Sequence, residues 1–393
     1  MADLVAEVLS LPSDAPIAAL RRQRSGVVHG IEASYRALFG DARSSAPPLG
    51  ERAVVAVRVA AWHAEPLLVG QYGRLLREVA PEAATAVMDA ALGGIRVEGW
   101  DGSRIAPLGP SSGLPARVVA ELRHPDLLAT HPVDARPHDL AALGAAGCSV
   151  PETVTLSQLI GFVSFQARML ATLRVLDGVR PAAGGAVSTG PPLRVATATQ
   201  PFTQDELGWS PWLPPLSVPA ATAEQREALP PPRDRSPYFR LLAHDAPILR
   251  ARTATELAIF RTPGGLPRSE RELSAAVASR VNGCVYCASV HARFASTFSK
   301  RHADVQRLLE EGPAGRQDRR WRAIVDGVAS LSQTPSRLGP ERVAALRGVG
   351  LGDLEILDLG QASAFFAWAN RLLLTLGEPV LRVRAGTGAG TGA

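Results

Sequence analysis

Two stretches of this chain can be laid on one another without a gap. HDLAALGAAGCSVPETVTLSQLIGFVSFQARMLATL, from His138, matches ERVAALRGVGLGDLEILDLGQASAFFAWANRLLLTL, from Glu341, at an offset of 203 residues. The identities include Leu143/Leu346, Gly147/Gly350, Glu152/Glu355, Gln158/Gln361, Phe162/Phe365 and Arg168/Arg371. Upstream, ERAVVAVRVAAWHAEPLLVGQY from Glu51 lies on ERELSAAVASRVNGCVYCASVH from Glu270 at an offset of 219. The extra 16 residues fit a longer Gly/Pro-rich connection near 93–117. The sequence reads as an internal duplication, so one structural plan has to serve both halves.

That plan is helical. Apolar residues recur with helical spacing over 52–80 and over 137–177 around a break near Gly147. The pattern returns at 238–261, 269–281, 284–299, 303–311, 317–332, 340–348 and 353–376, while strand-like alternation is nearly absent. The expected fold class is all-α, a duplicated helical bundle. Between the halves lie PAAGGAVSTGPP, WSPWLPPL and LPPPRDRSP, too rich in proline for a helix or a central strand. The expected division is therefore a first repeat over 1–177, a linker over 178–237, and a second repeat over 238–393 ending in a disordered Gly-rich tail. Trp209 and Trp212 are expected to clamp the linker onto a helical half.

The two halves differ in chemistry. Cys284 and Cys287 stand two residues apart and His291 follows at i+4 from Cys287. On a helix these three positions share a face. Asn282-Gly283 just before them is a turn signal, so a helix can start at Cys284. A Cys-x-x-Cys at a helix N-terminus is where thiol pKa values fall, because free N–H groups and the macrodipole favour the thiolate. In the register of the duplication Glu65 takes the place of Cys284, Leu68 of Cys287, Tyr72 of His291 and Ala53 of Glu272. The first half keeps the helices and lacks this chemistry. Cys148 falls opposite Leu351, away from the dithiol position, and reads as a buried apolar thiol.

Composition narrows the choices. Three cysteines in 393 residues exclude a disulfide-rich scaffold, so the dithiol reads as catalytic or metal-binding in a reducing compartment. Structural zinc wants four ligands, usually as two close pairs, and no second Cys/His pair exists in the sequence. A thioredoxin-type dithiol needs strands around it. The net charge is +5, but Lys300 is the only lysine, the arginines are spread along the chain and no basic block carries interleaved aromatics. Nucleic acid is not an expected partner. MADLVAEVLSLPSDAP lacks the basic start and apolar core of a signal peptide, and no uncharged apolar run reaches the ~18 residues of a spanning helix. The expectation is a soluble, cytoplasmic protein without a membrane partner.

Glu272 has two readings. Ser269-Glu270-Arg271-Glu272 is a capping-box pattern, in which Glu272 only satisfies a helix start. In a straight helix it would also lie ~18 Å from Cys284. It reaches the thiols only if Asn282-Gly283 turns the next helix back.

Glu272, then Cys284-Val285-Tyr286-Cys287 twelve positions on, then His291 resembles the active-site motif of alkylhydroperoxidase D-like proteins, within the carboxymuconolactone decarboxylase superfamily. SRVNGCVYCASVHARF resembles the peroxidase-related branch, and the duplication with its WSPW linker resembles two-repeat members. The resemblance implies an all-α fold and a dithiol peroxidase without metal or organic cofactor. Carried over, Cys287 attacks the peroxide, Cys284 resolves the resulting sulfenate, and Glu272 with His291 relays protons. It also implies a peroxide substrate, an external dithiol reductant of lipoyl or thioredoxin-like type, and a homo-oligomer. Typical members have histidine where this chain has Tyr286, and a phenol with pKa near ~10 is a poorer shuttle than imidazole. Asn282, beside Cys284, is a supporting candidate. His29, His63, His124, His131, His138 and His244 have no acidic or thiol partner at useful spacing, and Phe365, Phe366 and Trp368 read as core or interface. The competing readings are a decarboxylase-like lyase and a non-catalytic redox switch or scaffold.

Overall fold

The computed structural model describes residues 4–40, 46–82, 84–93, 114–178 and 193–381. The fold is all-α, as the apolar spacing predicts. Two long helices, Val150–Leu176 and Asp353–Thr375, pass through the centre and bury side chains on every face rather than on one stripe. Helix Val150–Leu176 is long and apolar enough to cross a bilayer, yet here most of its apolar stretch is covered by the other helices. The two helices approach closely where one offers a glycine. A Cβ on Gly161 would stand 2.2 Å from Cδ1 of Trp368, whose indole N–H donates to Gln158 Oε1 at 2.9 Å.

Helix starts repeat the spacing of the sequence match. Ala116–Thr130, Pro137–Ala145 and Val150–Leu176 begin 203 positions before Arg319–Leu331, Pro340–Arg347 and Asp353–Thr375. Leu49–Trp62 and Pro66–Val79 begin 219 positions before Arg268–Asn282 and Val285–Ser299. The stretch 52–80, expected as one helical segment, is therefore two helices, hinged where Ala64 adopts a positive φ of 50°. The stretch 238–261 is also divided, into Pro237–Leu242, a 3-10 turn and Ala246–Arg261, because Pro247 stands at the start of a new helix and favours its first turn.

Two buried arginines tie the long helices to the opposite half of the chain. Arg168 donates to the carbonyls of Ser332 and Gln333 at 3.2 and 3.1 Å, just past helix Arg319–Leu331. Arg371 donates to the Ala129 carbonyl at 2.8 Å, near the end of helix Ala116–Thr130. Free carbonyls at a helix C-terminus carry partial negative charge and attract a cation. Neither arginine has a carboxylate within the bonds it makes, and burial pushes the Arg168 guanidinium down to about 9.

Within the linker, a short strand holds Trp209 against the second long helix. Residues Leu207–Pro211 form strand β1, antiparallel to β2, Gly377–Leu381. Trp209 is buried, donates its indole N–H to the Leu373 carbonyl at 3.0 Å and meets Tyr238 edge-on at 5.5 Å. A strand of a two-stranded ribbon has a free edge, so Pro211 and Pro379 are tolerated. The expected disordered tail, 382–393, lies outside the described residues.

Gly161→Ala separates local from tertiary control. Helix propensity alone favours alanine by about 1 kcal/mol. Overpacking against Trp368 costs about 1–3 kcal/mol. The substitution is expected to lower the urea unfolding midpoint; a raised midpoint would show that Trp368 moves aside freely.

Candidate active site

Helix Arg268–Asn282 stops at Gly283, whose φ of 82° is left-handed. The position suits glycine twice over, since a Cβ there would also stand 2.8 Å from Val133. Cys284 follows as the N-cap of helix Val285–Ser299, and its carbonyl accepts the N–H of Ala288 at 3.0 Å. The chain has reversed, and the two helices pack side by side.

The reversal delivers Glu272 to His291. Glu272 Oε2 lies 2.5 Å from His291 Nδ1, and Oε1 accepts from Arg268 Nε at 2.6 Å. The capping-box reading is overturned. The helix begins at Arg268 behind Pro267, so Ser269 is not the N-cap, and Glu272 is fully buried with its carboxylate committed to Arg268 and His291. With Glu272 accepting, the Nδ1 position of His291 carries the proton.

Cys284 and Cys287 are buried free thiols, with Cys284 Sγ donating to Cys287 Sγ at 2.9 Å. The Cys287 pKa is raised well above its ordinary value, first by burial and then by the neighbouring Cys284 sulfur. The expected fall at a helix N-terminus is thus reversed in the reduced pair, because desolvation outweighs the dipole. His291 packs against Phe366 at 4.3 Å, Phe260 at 5.7 Å and Phe294 at 6.2 Å between ring centres. Beyond it Phe294 and Phe298 stack at 6.3 Å and are 43% and 51% exposed. The ordered linker closes another side. Ala196 N–H donates to the Val281 carbonyl at 2.8 Å, Ser289 donates to the Asp205 carbonyl, and Ser296 donates to Gln204 at 2.5 Å. Asn282 Nδ2 is buried without a partner, and Tyr286 is half-buried against the core.

Residues 246–313 match the carboxymuconolactone decarboxylase family. A search of curated proteins gives no significant match. The matched stretch holds Glu272, Cys284, Cys287 and His291, and it also holds two side chains that spacing did not single out. Arg268 was legible as an i,i+4 partner of Glu272. Arg252, on helix Ala246–Arg261, had no local signal, and neither did Tyr238 just outside the matched stretch; tertiary packing lays the Arg252 guanidinium over the Tyr238 ring at 5.8 Å.

Outside the matched stretch, the corresponding place in the first half is filled differently. Glu65 caps helix Pro66–Val79, accepts from Leu67 N–H at 3.3 Å and pairs with Arg174 at 2.6 Å. Tyr72 donates its hydroxyl to Gln166 Oε1, and His63 Nε2 lies 2.9 Å from Ser164 Oγ. Cys148 is buried within the hydrophobic core, as expected, and its Sγ also donates to Glu121 Oε1 at 3.7 Å. Burial, with Glu51 close by, pushes the Glu121 carboxyl up to about 8, and burial next to Glu121 pushes the Cys148 thiol up to about 12.

A raised carboxyl pKa means that the fold favours protonated Glu121. Its stabilisation is complete below the ordinary value of 4.5 and is lost as pH rises towards about 8. The advantage of Glu121→Gln over wild type in unfolding free energy should grow across that window, by up to ~1.4 kcal/mol per pH unit, then level off. Urea titrations at several pH values check this; a pH-independent difference contradicts it.

Proposed function

We propose that the protein is a thiol-dependent peroxidase of the alkylhydroperoxidase type, reducing an organic or hydrogen peroxide at Cys287. The observation that carries this reading is the pair of free thiols 2.9 Å apart on a helix whose His291 meets the buried Glu272. The Cys287 thiolate attacks one peroxide oxygen, the O–O bond breaks, and Cys287 becomes a sulfenic acid. The leaving oxygen takes a proton from the Glu272–His291 pair and departs as alcohol or water. The Cys284 thiol then attacks the sulfenate sulfur, closing a disulfide and releasing water. An external dithiol reduces that disulfide and is itself oxidised. Arg268 donates to one oxygen of Glu272 and leaves the other directed at His291.

A decarboxylase-like lyase is the second reading that the family match supports. It has no use for two adjacent thiols, which is why the redox reading is preferred. We propose also that the chain arose by duplication, with Glu65–Arg174 and Tyr72–Gln166 replacing the dithiol and histidine in the first half. The equal spacing of helix starts supports this.

Stopped-flow consumption of cumene hydroperoxide by pre-reduced protein tests the proposal. Wild type is expected to consume one equivalent rapidly, Cys287→Ser none, and Cys284→Ser one equivalent while remaining a sulfenate. Wild type reacting no faster than a free thiol would defeat the reading. Glu272→Gln should slow the first turnover by roughly 10²–10⁴-fold, the usual contribution of a positioned proton-transfer group. A wild-type rate in this variant would remove Glu272 from the relay.

A further inference from the structure

A cavity of about 280 Å³ opens between the linker and the end of helix Arg268–Asn282. The linker lines it with Val195, Ala196 and Ala198, with the polar side chains of Thr197 and Gln200, and with Phe202. The helix contributes Arg280, the one charged side chain in the lining. The cavity lies against the turn that presents Cys284. There Ala196 N–H donates to the Val281 carbonyl at 2.8 Å, and a Cβ on Gly283 would stand 3.1 Å from that of Ala196. Its volume is near the lower end of the roughly 300–1,000 Å³ of ligand pockets, which suits a small molecule rather than a dinucleotide.

Arg280 is half-buried and has unused donors. Among the described residues its one hydrogen bond runs from Nε to the Leu309 carbonyl at 2.9 Å, near the end of helix His302–Glu311. Its guanidinium lies over the Phe202 ring at 4.3 Å. Burial pulls its pKa below the ordinary arginine value, and no carboxylate acts to raise it again. Two neighbours on the same side of the duplication are treated otherwise: Arg271 and Arg320 pair with Asp358 and Glu270. The helical plan itself does not call for a cation here, since at the offset of 219 the first half carries Ala61. A guanidinium stacked on a ring keeps a fixed plane while the N–H groups at its edge stay free to hold two oxygens of an anion.

We propose that this cavity is a binding site for a small organic anion, a carboxylate or a phosphate monoester with an apolar body. The Nη1 and Nη2 groups of Arg280 take two anion oxygens, the Thr197 hydroxyl adds a donor, and the body packs against Val195, Ala196 and Ala198. A ligand held in this way joins the linker to the helix three residues before Gly283, so its binding energy opposes local opening of the linker. The inference goes beyond the peroxidase reading and does not rest on it.

Titration calorimetry of the full-length chain with benzoate, phenyl phosphate and the neutral isostere benzamide tests the site. At least one of the two anions is expected to bind, the tighter one identifying the head group, with benzamide weaker by about tenfold or more. Arg280→Gln should weaken that anion by about tenfold or more, the loss of a charge-assisted pair of hydrogen bonds. In hydrogen exchange read by mass spectrometry, the anion should slow the amides of residues 195–202 in wild type and leave them unchanged in Arg280→Gln. Failure of both anions to bind wild type, equal affinity for benzamide, or undiminished affinity in folded Arg280→Gln overturns the proposal. Should Arg280→Gln fail to fold by circular dichroism, the exchange of wild type decides: binding that leaves 195–202 unprotected lies elsewhere and overturns it. No thiol or peroxide takes part in these measurements, so they stand apart from the outcome for the peroxidase reading.

Discussion

The site depends on one reversal of the chain. Gly283, in a left-handed conformation that a side chain would both strain and crowd, ends one helix and starts the next within two residues. Three consequences come from that single turn. Cys284 becomes an N-cap, Cys287 lies in the first helical turn, and Glu272 comes alongside His291 instead of lying ~18 Å away along a straight helix. In the first half Ala64 takes the same kind of positive-φ position before Glu65, so the backbone device persists where the thiols are absent. The turn is thus a property of the fold, and the chemistry is carried by the side chains placed after it.

Burial sets the terms on which those side chains can react. The dithiol is almost wholly enclosed by core helices and by the ordered linker, so desolvation makes the Cys287 thiol a weak acid in the reduced pair. A helix N-terminus contributes only about 0.3–1 kcal/mol near the surface, too little to reverse deep burial. The same enclosure strengthens every charge that remains inside, because the local dielectric is low. Arg268 on Glu272 is a cation placed to act there.

How much of this was legible follows from the range of each interaction. The all-α fold and the Cys284–Cys287–His291 stripe depend on contacts a few residues apart, and periodicity with spacing reaches them; the breaks inside 52–80 and 238–261 were not resolved by periodicity. Glu272 was ambiguous because a capping box and a buried relay begin with the same residue types; its partner Arg268 is four residues before it, but nothing local says that His291 closes over the other oxygen. The strand at Trp209 was hidden by its prolines, since its partner strand lies at the opposite end of the second half. Arg252 and Tyr238 were invisible, being one arginine and one tyrosine on separate short elements joined only by tertiary packing. Cys148 was legible as a buried core thiol, but its carboxyl partner, Glu121, comes from another helix and was not.

The central claim is that Cys284 and Cys287 exchange electrons with a peroxide as one unit. Its most direct test is peptide mapping by mass spectrometry after reduced protein meets one equivalent of hydroperoxide under non-reducing conditions. The account predicts loss of two hydrogens, confined to a peptide holding a Cys284–Cys287 disulfide, together with one equivalent of alcohol. Oxidation appearing first at Cys148, or a dithiol that stays reduced while hydroperoxide persists, would contradict it.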